Sequence, residues 1–186
     1  MADIKLVLDD IRDSIDTQER YLCQAILRME QDMPHYSDAN FTMRLTYGQV
    51  GGYKIKDYDS GYYTTAHSLY KKMLKGGDFE DYYAEPEIRE LFVGKNYGKY
   101  VDKVSKTLNL CFLTDNDITG GNSGSPVLDA YGRLIGLAFD GTWDSMANDI
   151  HFDKTLGRTI NVDIRYVLYI MQQWSHANRI IKELGL

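Results

Sequence analysis

Eight residues, TGGNSGSP from Thr119 to Pro126, hold the side chain and the backbone best suited to covalent chemistry in this sequence. Ser123 offers a hydroxyl, which attacks a carbonyl only when a base takes its proton. The tetrahedral oxyanion that forms needs N–H donors converging on one point. Gly120, Gly121 and Gly124 allow the backbone angles that aim the N–H groups of Gly121 and Ser123 at such a point, and they let a substrate carbonyl come close. Losing one such donor costs about 3 kcal/mol of transition-state stabilisation, so Gly121 counts as much as the nucleophile. A Gly/Asn/Ser turn between two strands is the plain alternative. The flanking residues argue against it: the apolar run LNLCFLT precedes the loop, and PVLD and RLIGLAFDG follow it.

The same loop resembles the nucleophile loop of trypsin-like serine peptidases, which use a histidine base and an acid. The four histidines are His35, His67, His151 and His176. None follows a strand in the way a trypsin-like base does, so the base is expected outside this chain. Asp117, six residues before Ser123, stands where enzymes that cut after Lys or Arg keep a pocket acid, although aspartate is also common in turns. Cys23 and Cys111 each sit among apolar residues and read as buried thiols. The histidines are too far from one another and from the cysteines to suggest a metal site, and serine chemistry of this kind needs no cofactor.

Positioning the loop is a matter of strands. Residues 108–114 read as a strand, and PVLD and RLIGLAF as a hairpin closed by DAYG, with Gly132 at its left-handed position. RTINVD reads as a last strand, followed by one amphipathic helix with Ile164, Val167, Leu168 and Met171 on a face. Upstream, apolar residues at helical spacing (Leu8, Ile11, Ile15, then Leu22, Ile26, Met29) predict a helix or a pair over 3–31. Turn formers at 34–40 place a boundary near Ser37. FTMRLTYGQVGGY alternates apolar and polar residues and predicts a strand. Segments 65–73 and 86–92 read as short helices.

The 186 residues suffice for one domain or a domain and part of another. A net charge of −6 disfavours nucleic-acid or anionic-membrane partners. No apolar run reaches the length of a membrane span, and Asp3, Asp9 and Asp10 interrupt what would be a signal peptide. Fifteen tyrosines, clustered at 47–100, suggest an aromatic surface that packs on something else.

The longer stretch TGGNSGSPVLDAYGRLIGLAFDGTWDSMANDIHFD, with RTINVDIRYVLYIM and, upstream, YSDANFTMRLTYGQVGGY, closely resembles bacterial serine dipeptidyl-peptidases of the peptidase 7 and 11 type. The resemblance spans most of residues 35–186. It implies a double β-barrel peptidase with a helical cap, of which residues 1–37 would end the cap. Residues 38–186 would form the second, trypsin-like barrel and a closing helix, giving a mainly β fold flanked by helices. On this resemblance Ser123 is the nucleophile, and Gly121 and Ser123 supply the oxyanion N–H groups. Asp140 would hold the substrate's α-ammonium, which limits release to dipeptides. Its other reading is a strand-end aspartate bonded to nearby backbone N–H groups. Gly141 would sit at the specificity pocket, where members that cut after Asp or Glu carry arginine. Glycine implies apolar or bulky penultimate residues, counted as second from the amine.

The family's histidine and aspartate lie upstream, in a barrel absent here. The chain is therefore expected to be a C-terminal portion carrying the nucleophile half of a site and inactive alone. Its expected partners are peptide substrates and the missing N-terminal barrel. A homodimer and an extracytoplasmic setting, in the periplasm or at the cell surface, follow from the resemblance. Two other readings stand beside it: a glutamyl-type serine endopeptidase sharing GNSGSP, and a non-catalytic peptide-binding barrel, motivated by the missing base.

Overall fold

The i, i+3, i+4 spacing of Leu8, Ile11, Ile15, Leu22 and Ile26 winds one 28-residue helix, α1 (Ala2–Met29). It appears in a computed structural model that describes residues 2–32, 42–75, 81–148 and 152–186. Contacts divide the chain into two units, Met1–Ser37 and Asp38–Leu186. Among the described residues of the first unit α1 has no second element to bury against, and its apolar stripe is exposed. Cys23 is exposed with it, contrary to the reading of a buried thiol. The predicted boundary at Ser37 and the first residue of the predicted strand, Phe41, lie outside the described residues.

The second unit runs β1 (Lys54–Ile55), β2 (Tyr58–Asp59), β3 (Tyr63–Thr65), α2 (Ala66–Lys75), α3 (Pro86–Val93), β4 (Asn109–Thr114), β5 (Pro126–Leu128), β6 (Leu134–Gly141), β7 (Thr159–Asp163), α4 (Ile164–Gln173) and α5 (Asn178–Glu183). β1 and β2 form a small hairpin. The main sheet is antiparallel, in the order β3-β4-β7-β6-β5. Among the described residues no pairing joins β5 back to β3, and closure of the ladder into a barrel is not seen among them.

Helices cover one side of β4. Ala66 and Met73 of α2, Phe92 of α3, Leu108, Leu110 and Tyr169 of α4 form the core, with Tyr97 and Tyr100 inserted edge-on against Tyr169. These three tyrosines are core residues, whereas Tyr47, Tyr58, Tyr82, Tyr83 and Tyr131 are exposed. Cys111 lies half-buried beside this core, and burial pushes its thiol up.

Two expectations need correction. The segment at 42–51 is extended but not a strand; its one ladder contact is an isolated bridge, Val50 to Thr114. The predicted closing helix is two helices. The turn between α4 and α5 takes His176 to φ +50° and bonds the Ala177 N–H to the Met171 carbonyl. His176 therefore lies in a turn rather than on a helix.

Candidate active site

Strand β5 begins at Pro126, so the loop before it is anchored on the β5–β6 ladder. The Gly124 N–H donates to the Ala138 carbonyl at 2.7 Å, and the Ala138 N–H returns to the Ser125 carbonyl at 3.0 Å. Within the loop, the Asn122 N–H donates to the Thr119 carbonyl and the Ser125 N–H to the Asn122 carbonyl. Gly121 and Gly124 take φ of +95° and +84°, angles that only glycine adopts at little cost. Gly120 lies outside that region. The outcome is selective: the N–H groups of Asn122, Gly124 and Ser125 are used, while those of Gly121 and Ser123 bond no acceptor among the described residues.

Ser123 is exposed, and its Oγ donates to the Phe139 carbonyl at 3.3 Å. That bond ties the serine to the end of β6, where the pairing with β7 slips between Ala138 and Asp140, with Phe139 as the extra residue. Asp140 follows directly. Its Oδ1 accepts from the Gly141 N–H at 2.8 Å, the local bond open to a strand-end aspartate, and its Oδ2 is unbonded among the described residues. Asp140 is exposed. A Cβ on Gly141 would meet nothing closer than Ser145 Cβ at 3.4 Å, so the glycine leaves real space rather than filling a tight fit. The bulge thus brings Ser123, Asp140 and Gly141 to one end of the sheet.

The wall beyond Gly141 is braced by residues the sequence did not point to. Ser145 Oγ accepts from the Arg158 N–H at 2.8 Å, and the Thr142 N–H donates to the Arg158 carbonyl at 3.0 Å. The Arg158 guanidinium donates to the Gly52 carbonyl at 2.8 and 3.1 Å and to the carbonyls of Lys154 and Gly157. Tyr53 donates its hydroxyl to Asp144 at 2.6 Å; that bond, with partial burial, pushes the phenol up to about 12. No spacing or composition marks these residues, because the contacts that join them to the wall reach across to other segments of the chain.

Neither of the two described histidines contributes to this geometry. His67 and His176 are exposed, on α2 and in the α4–α5 turn, and neither is bonded to Ser123; His35 and His151 lie outside the described residues. The Asp117 carbonyl is held by the Thr46 hydroxyl at 2.7 Å, within the segment leading into the loop. Among the described residues, no cluster of His, Cys, Asp or Glu could hold a metal, and no helix is long and apolar enough to cross a membrane.

What the loop can do chemically is present an alcohol beside two unused N–H donors, with a carboxylate oxygen and an open space at the neighbouring strand end. Comparison with known proteins adds a family relationship. The family pattern of peptidase S46 matches residues 2–186. A dipeptidyl-peptidase 7 of Porphyromonas endodontalis is 47% identical over 172 residues, covering 91% of this chain and 20% of that protein. An Asp/Glu-specific dipeptidyl-peptidase of Capnocytophaga gingivalis is 39% identical, covering 97% and 25%. The crystal structure of Porphyromonas endodontalis DPP11 in complex with substrate superposes with a TM-score of 0.76 at 34% identity, covering 87% and 23%. The chain thus spans about a fifth to a quarter of the length of the relatives it matches.

Proposed function

Because the chain belongs to the peptidase S46 family, we propose that it carries the nucleophile half of a serine dipeptidyl-peptidase. The observation that carries the proposal is the loop's pattern of use: among the described residues the N–H groups of Gly121 and Ser123 have no acceptor, on either side of an Asn122 whose N–H and carbonyl are both bonded. Ser123 Oγ attacks the scissile carbonyl, its proton passing to a base outside the described residues. The carbonyl oxygen, now negative, is received by the N–H groups of Gly121 and Ser123. The amine of the C-terminal product leaves with a proton, and water then frees the dipeptide from Ser123. Asp140 Oδ2 receives the substrate's α-ammonium, a charge-assisted bond that places the second peptide bond, and no other, at Ser123.

Gly141 leaves the pocket open for apolar or bulky penultimate residues. Two observations support that preference: the space above Gly141, and identities of 43–49% to four proteins named dipeptidyl-peptidase 7 against 35–39% to four named Asp/Glu-specific. Residues 1–37 would belong to the helical cap. The N-terminal barrel that supplies histidine and acid, a homodimer and an extracytoplasmic setting complete the proposal by resemblance.

A non-catalytic peptide-binding barrel has one observation in its favour: the Ser123 hydroxyl is bonded to the Phe139 carbonyl rather than to a base. Both readings, and that of an endopeptidase, separate in one experiment on the longer protein that contains this segment. Peptides with a free amine and an apolar second residue should release dipeptides, and N-acetylated forms should not. Equal cleavage of both forms would point to an endopeptidase. Absence of cleavage, with no labelling of Ser123 by a fluorophosphonate, would leave the binding module.

A further inference from the structure

We infer that Arg44 is a positioning residue for the nucleophile loop, acting through the side chain of Asn122. The inference rests on the reading of Ser123 as nucleophile. Its structural basis is the segment 42–51, which runs antiparallel to 113–122 as a strap. Arg44 Nη2 donates to Asn122 Oδ1 at 2.7 Å, and Thr46 Oγ1 to the Asp117 carbonyl at 2.7 Å. The Gln49 N–H donates to Asp115 Oδ1, the Asp115 N–H returns to the Gln49 carbonyl at 3.0 Å, and the Gly51 N–H reaches the Leu113 carbonyl at 3.1 Å. From the other side, Thr159 Oγ1 of β7 donates to the Asn116 carbonyl at 2.8 Å. The approach to the loop is held on both sides.

Asn122 is where this grip meets the chemistry. It lies between the two unused N–H groups, and the peptide plane that carries the Ser123 N–H contains its carbonyl. A rotation of Asn122 therefore turns one oxyanion donor relative to the other. Its N–H and carbonyl are already engaged within the loop, so its side chain is the remaining handle, and a guanidinium holds it. A hydrogen bond from a charged donor is about twice as strong as one between neutral groups. Arg44 and Asn122 are both half-buried, which limits competition from water.

The test uses the longer protein and two readouts, kcat and KM for dipeptide release and hydrogen exchange of peptides covering 115–126. Arg44→Met should lower kcat about 10- to 100-fold, the scale of a small misplacement of catalytic groups. KM should change less than about threefold, as for an interaction felt in the transition state. Exchange in 115–126 should rise while exchange elsewhere stays as in the wild type. Arg44→Lys, which keeps a cationic donor for the bond to Asn122, should recover most of the rate. Asn122→Ala should reproduce the loss, and adding Arg44→Met to it should cost nothing further. Should Arg44→Met fail to fold, Asn122→Ala and Arg44→Lys still give the comparison. Unchanged exchange and kcat in Arg44→Met, or losses that add in the double variant, would overturn the inference. A wild type that releases no dipeptides would sink the proposed function, and loop exchange would still decide the role of Arg44.

Discussion

Gly141 and Asp140 are adjacent, yet the chain uses them in opposite ways. Asp140 commits one oxygen to the Gly141 N–H and leaves the other without a partner among the described residues, whereas Gly141 contributes space. Because an added Cβ would sit at ordinary contact distance from Ser145 and Arg158, a longer side chain can be introduced there without backbone strain. Gly141→Arg in the longer protein is expected to shift preference toward acidic penultimate residues. The gain for Asp over Leu, measured as a ratio of kcat/KM, should be about 10- to 100-fold, the worth of a charge-assisted hydrogen bond. Asp140→Asn removes the charge and keeps the shape, so free-amine peptides should bind about tenfold or more weakly, read as a rise in KM. A loss confined to kcat would mean that Asp140 shapes the strand end rather than meeting the amine. The left-handed backbone at Gly121 and Gly124 was legible because glycine angles are a local signal. Arg44, Ser145 and Arg158 were not, since their partners lie 78, 13 and 106 positions away.

At the scale of elements, the alternation over 41–53 was read with the right period and the wrong consequence. Met43, Leu45 and Tyr47 are 100, 82 and 69% exposed, while the polar positions between them, Arg44 and Thr46, are tied down. The pattern suggested a strand burying its apolar face; the segment is a strap held by its polar one. The β5–β6 hairpin was legible from its turn: Asp129 accepts from the N–H groups of Tyr131 and Arg133, and Gly132 closes the turn at φ +75°. The break between α4 and α5 was not legible, because no glycine or proline marks it. β7 hides a further lesson: its buried face is polar, with Thr159, Asn161 and Asp163 inside. The strap also makes a prediction at this scale. A Cβ on Gly48 would overlap Asp115 Oδ1 and lie 2.7 Å from the Asn116 nitrogen, whereas one on Gly51 would meet nothing within 4 Å. Gly48→Ala should therefore destabilise by about 1–3 kcal/mol, as overpacking does. Gly51→Ala should stay within about 0.5 kcal/mol of wild type. Chemical denaturation of the two variants side by side checks this, and equal stabilities would mean that the strap yields freely.

For the Asp38–Leu186 unit taken whole, the helical core and the sheet are joined by charge as well as by packing, at the end of β7 opposite the Ser123 loop. Asp163 closes β7 and caps α4, accepting from the Arg165 N–H at 2.9 Å. The Arg165 guanidinium bonds Asp163 at 2.5 Å and reaches across to Asp102 at 2.7 Å, in the turn before β4. Partial burial pulls the Asp102 carboxyl upward, but Arg165 and the N–H groups of Ser105 and Val104 outweigh it and bring it down to about 2. A carboxyl depressed in the folded state contributes stability that is fully present above its unfolded value, about 4. That contribution is lost as pH falls through the folded value. The cluster should therefore add up to about 2 kcal/mol at neutral pH, reduced by whatever screening solvent provides, and lose it between about pH 4 and pH 2. Arg165→Met leaves the half-buried Asp102 and the buried Asp163 without their cation. The variant should be less stable than wild type at pH 7, and the gap should narrow as acid protonates Asp102. Denaturation midpoints measured from pH 7 down to pH 2 decide it: a gap that stays constant with pH would assign Arg165 a packing role, and the charge link between core and loop-bearing sheet would fall.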